Sequence, residues 1–99
     1  MAQQSQPKSL EIQIKVPDNL VGGVYANYVI ISHTKEEFIM TFVMIAPPQG
    51  IVTSRVVMSP SHTKRLASAL NANIKKYEEA IARIAPASEP KAKLGFHIG

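Results

Sequence analysis

The sequence predicts an α+β fold: a four-stranded antiparallel meander followed by one long C-terminal amphipathic helix. Three observations predict it. Leu10-Glu11-Ile12-Gln13-Ile14-Lys15-Val16 alternates apolar and polar residues without a miss, the period-two pattern of a half-buried strand. Three more runs of β-branched, aromatic and aliphatic residues follow at short intervals. The chain then changes period at Ser59-Pro60, and apolar residues recur at 67, 70, 74, 77, 81 and 84. That is the three-four rhythm of a heptad seam.

Residues 1–9, rich in Gln and Ser and carrying Pro7, give no periodic signal and are expected to be a disordered leader. Pro17-Asp18-Asn19 ends the first strand with turn chemistry, and Gly22-Gly23 permits a sharp bend. The second strand is expected over Val24–Ser32, with Tyr25, Tyr28 and Val29 to Ile31 as strand formers. His33 to Glu37 is a polar connection of hairpin length. The third strand is Phe38–Ala46, ended by Pro47-Pro48, and the fourth is Ile51–Met58. Short connections between strands favour antiparallel neighbours.

Serine is a good N-cap, and proline at the first helical position loses no hydrogen bond. The helix is expected from about Pro60 to about Ile84, where Pro86 stops it. Residues 10–85 then form a single domain. Residues 86–99 form a flexible Pro/Ala/Lys linker that ends in an apolar tail with Leu94, Phe96 and Ile98.

Composition narrows the function. The chain has 99 residues, 45% hydrophobic and only 18% charged, a low charge share for a small monomer. The third strand is apolar on both faces: Phe38, Met40, Phe42 and Met44 on one, Ile39, Val43 and Ile45 on the other. One helix covers only one face of such a sheet. A homo-oligomer, dimer or higher, is therefore expected, with Leu70, Ile74, Tyr77, Ile81, Phe42 and Met44 at its interface.

Candidate chemistry is sparse. There is no cysteine, hence no disulfide, thiolate metal site or cysteine nucleophile; a cytoplasmic location fits. The N-terminus has no apolar core of a secretory signal, and no apolar run reaches membrane-spanning length. His33, His62 and His97 have no ligand-like spacing to one another or to a carboxylate. No catalytic residues, no cofactor and no metal are expected. Ser59, His62, Lys64 and Arg65 at the helix start could contact an anion or a partner, although capping by Ser59 is the commoner reading. Leu94, Phe96 and Ile98 suit docking of an apolar tail on another protein, set against a tail packed on its own chain. A net charge of +4 and Lys64, Arg65, Lys75, Lys76 and Arg83 on the helix keep nucleic acid as an unlikely alternative partner.

The segments Val29–Phe38 and Val57–Leu66, with Asn73–Glu78, resemble a prokaryotic family of about a hundred residues catalogued as a domain of unknown function, number 3467. The resemblance runs from about Glu11 to Glu79 and implies no activity. In element order alone, four strands and a Ser-Pro helix are similar to the SecB-like export chaperones, oligomers that hold unfolded clients on apolar grooves. Met40, Met44 and Met58 suit such an adaptable surface, although methionine is more often core. The reading is a non-enzymatic, oligomeric protein-interaction module, with a SecB-like chaperone or adaptor as its sharpest form and a nucleic-acid-associated protein as the alternative.

Overall fold

The computed structural model describes residues 9–90 and 93–98; the expected leader, apart from Ser9, lies outside the described residues. Compact structure divides between Val57 and Met58 into two units. The first holds a sheet and the second a helix.

The sheet has three strands, not the four expected: β1 (Tyr28–His33), β2 (Phe38–Ala46) and β3 (Gln49–Met58), in that order, with β2 in the centre. The missing strand is Leu10–Val16. It makes no backbone hydrogen bond to another described residue, and its apolar residues are in water: Leu10 is 84%, Ile12 76%, Ile14 84% and Val16 56% exposed. The reason lies just after it. Pro17 accepts from the Leu20 N–H at 2.8 Å, and Asp18–Leu20 closes a single 3-10 turn. Gly23 then sits at φ 72°, which favours glycine. This compact turn does not return the segment to an edge of its own sheet.

β1 also begins later than the expected Val24, because of Asn27. Its side-chain amide donates to the Ile45 carbonyl at 2.9 Å and accepts from the Ile45 N–H at 2.8 Å. The side chain thus stands in for a peptide group. Its own backbone N–H donates to the Val43 carbonyl at 3.1 Å. The ladder ends on this clamp, and Val24 and Tyr25 before it are exposed.

From Tyr28↔Val43 the antiparallel pairs run to His33↔Phe38. At that end the two rings lie 5.3 Å apart, tilted by 31°. The four-residue loop closes through the Thr34 N–H donating to the Glu37 carbonyl at 2.8 Å. The Thr34 hydroxyl accepts from the N–H groups of Glu36 and Glu37, a threonine doing the work of a turn backbone. Pro47 and Pro48, joined by a cis peptide, are the whole connection from β2 to β3. Such a short link places the strands side by side, and the Thr53 hydroxyl donates to the Phe42 carbonyl at 3.3 Å.

The core is small. Val43, on the central strand, is the one buried hydrophobic residue among those described, at 6% exposure. Paired residues share a face. Val29 and Ile31 therefore lie beside Phe42 and Met40, and Tyr28 and Ile30 lie beside Val43 and Thr41.

The helix α1 runs Pro60–Ala80, one turn short of the expected Ile84. Ile81 is its C-cap, with φ at −121°, outside the helical range, and its N–H donates to the Tyr77 carbonyl at 2.8 Å. The Glu78 carboxylate then takes the Ile84 N–H at 3.0 Å. That captured N–H, with Pro86 restricting Ala85, diverts the chain where the sequence period continues. None of the helical residues is buried. Among the described residues no helix is long and apolar enough to cross a membrane.

Replacing Asn27 tests the clamp. Asn27→Ala removes both bonds to Ile45, and Asn27→Asp leaves its carbonyl facing a carboxylate. Each is expected to cost about 1 kcal/mol, the usual net worth of such hydrogen bonds, in urea unfolding at fixed protein concentration.

Candidate functional site

What the structure presents is apolar surface rather than a pocket with convergent polar groups. In the sheet unit that surface has three parts: the unpaired Leu10–Val16, the two faces of the sheet, and the free edge of β3. Phe42 and Met44, expected at an interface, are half-buried on the central strand, with Val29 beside Phe42. On β3, Ile51, Val52, Val56 and Val57 are exposed. Arg55 is also exposed and is the only Asp, Glu, Lys or Arg within the three strands. The expected meander already places its last strand, Ile51–Met58, at an edge; what it does not foresee is that Leu10–Val16 stands unpaired, beside neither edge of its own sheet. The signal was present all the same, in a strand-forming segment followed at once by Pro17.

In the helix unit, Leu70, Ile74 and Tyr77 fall on one helical face, at spacings of four and three, and Ile81 continues the line at the cap. Their exposures are 56%, 39%, 46% and 68%. A 21-residue helix is about 31 Å long, and these residues form a continuous stripe along its second half. The tail residues Leu94, Phe96 and Ile98 have no regular structure, and all three are exposed. Residues 91 and 92 of the linker lie outside the described residues.

The helix start is arranged as a cap. The Ser59 hydroxyl accepts from the His62 N–H at 3.2 Å. Its carbonyl accepts from both the N–H and the hydroxyl of Thr63, at 3.0 and 2.8 Å. The Arg65 guanidinium lies 3.0 Å from His62 Nδ1. Arginine can only donate, so in this contact Nδ1 is the acceptor. Of the four residues expected to meet an anion or a partner, three are thus engaged with one another or with the helix backbone. Lys64 is exposed beside them. The helix has no acidic residue in its first turn and no basic one in its last, so Ser59 carries the capping alone. Among the described residues no three of His, Asp and Glu gather as a metal would require.

The chain belongs to the family described as a protein of unknown function (DUF3467), whose model matches residues 1–85. The match takes in the sheet, the helix and the Leu10–Val16 segment. Among curated proteins and among solved structures, none is significantly similar to the chain. The SecB-like order has no support from these comparisons, and the four-strand order behind it is reduced to three strands in the single chain.

Ser59→Ala is expected to destabilise the helix by about 1 kcal/mol, and Ser59→Asp to restore it. The check is loss and recovery of the circular-dichroism helix signal in urea.

Proposed function

We propose that the chain is a non-enzymatic, cytoplasmic protein-interaction module that works as an oligomer of identical subunits. One observation supports this above all. Val43 is the only buried hydrophobic residue among those described, while Leu70, Ile74 and Tyr77 on the helix and Ile31, Ile51 and Val57 on the sheet stand in water. Covering one large aliphatic side chain contributes about 1.5–3 kcal/mol. A domain's whole stability is about 5–15 kcal/mol, so exposure on this scale is not sustained by a chain that stays alone. Contiguous exposed apolar surface marks a contact site.

The sharpest form of the reading is a holding role for unfolded chains. Met40, Met44 and Met58 are half-buried at the sheet, and a thioether side chain adapts to varied apolar partners. The tail residues Leu94, Phe96 and Ile98 offer a second contact to a protein partner.

Light scattering tests the oligomer. The expected mass is at least twice 10.8 kDa at micromolar concentration; a clean monomer overturns the proposal. Ile74→Glu on the stripe is expected to weaken association by about tenfold or more, given the burial lost. For the holding role, the expectation is suppressed aggregation of an unfolded test protein at an equimolar subunit ratio. No suppression removes that role and leaves the oligomer standing.

A further inference from the structure

We propose that Leu10–Val16 of one chain adds as a fourth, antiparallel strand to the free edge of β3 in a second copy, bringing Glu11 beside Arg55 of the partner subunit. The inference rests on the oligomeric reading above and says what joins the copies.

The segment has everything a strand needs except a neighbour. Its alternation is complete, yet none of its backbone groups is hydrogen-bonded to another described residue and its apolar residues are exposed. A lone strand satisfies nothing; a strand beside a sheet edge satisfies a whole row of N–H and C=O groups. The sheet offers two edges, β1 and β3. Seven residues reach about 23 Å at 3.3 Å each. β1 has six residues and no charged side chain, whereas β3 has ten and carries Arg55. A long apolar edge left bare is a hazard that folded proteins cover.

Charge and shape fix the register. Glu11 is the only acid of the segment, and Arg55 is the only charged residue of the sheet. Both are exposed, and neither has an ion-pair partner among the described residues. Setting Glu11 opposite Arg55 in an antiparallel pairing places Gln13 opposite Thr53 on the same face. On the other face Leu10 meets Val56, Ile12 meets Ser54, Ile14 meets Val52 and Val16 meets Gly50, while Lys15 falls opposite Ile51 on the first. Gly50 lies on the Val43 and Ile45 side, since a Cβ there would come 3.8 Å from Val43 and 3.6 Å from Ile45. The donated apolar row therefore extends the face that holds the buried Val43, and the glycine leaves room for Val16. Reciprocal donation by two chains gives each a four-stranded sheet and closes a two-fold dimer.

Since the protein has no cysteine, engineered disulfides read the contact directly. A tagged Glu11→Cys chain and an untagged Arg55→Cys chain would be mixed in urea, refolded together and oxidised. Directly opposed strand residues lie within disulfide reach. The expected result is a mixed, tag-shifted disulfide dimer as the main cross-linked species. It should fall at least tenfold when the tagged chain also carries Ile12→Pro, which removes a ladder donor. Mixed dimer no more abundant than the two like-with-like dimers overturns the proposal. So does a disulfide that closes within one chain in the Glu11→Cys/Arg55→Cys double variant. Light scattering on the unmodified protein separates the two readings: a dimer without the 11–55 bond removes only the strand donation, and a monomer removes both.

Discussion

The constraint on which the rest depends is that β2 is apolar on both faces and lies between two neighbours. A central strand of this kind shields its backbone by pairing on either side, and Val43 at its middle is the best-buried residue of the sheet. Pairing does nothing for the faces. Side chains above and below β2 need cover of their own, and β1 and β3 repeat the difficulty, with Val29, Ile31, Val52 and Val57 exposed. The sheet unit is therefore geometrically complete as a ladder and incomplete as a core. The edge of β3, the unpaired N-terminal segment and the two faces are separate expressions of that single deficit.

The helix unit follows the same logic with different means. Ser59 fixes where α1 begins, and the Glu78 bond to the Ile84 backbone fixes where the chain leaves the helical path. Local chemistry thus settles both ends. It settles nothing about the stripe of Leu70, Ile74 and Tyr77, which stays exposed. Most helical stability in proteins comes from packing of an apolar face rather than from propensity, and that contribution is the one the exposed stripe leaves unmade.

Much of this was legible in the sequence, and the misses share a cause. Phe38–Ala46 reads as a strand from its apolar run between a charged loop and two prolines, and it is one. Ser59-Pro60 reads as a helix start, and the cap forms with Ser59 as acceptor. Leu10–Val16 also reads as a strand. Period-two alternation reports a residue's preference for a half-buried ladder but not which chain supplies the neighbouring strand. Ile81 and Ile84 keep the helical spacing past the point where the helix stops, because period is blind to a carboxylate that takes a backbone N–H. Asn27 gave no pattern signal at all, since a single side chain acting as a peptide has no period. The family match locates the chain among relatives without adding an activity.

The Asn27 clamp has a consequence for fidelity. A strand polar on one side and apolar on the other announces its alignment, since a slip by one residue turns the wrong side inward. β1 has almost no such contrast over Val29 to Ile31, so a slipped β1 would look nearly as good to the hydrophobic effect as the aligned one. The amide of Asn27 can meet both polar groups of Ile45 in one alignment only. It adds little energy, but it breaks the tie. Where burial cannot distinguish one pairing from the next, a single polar side chain at the end of the strand carries the information that selects it.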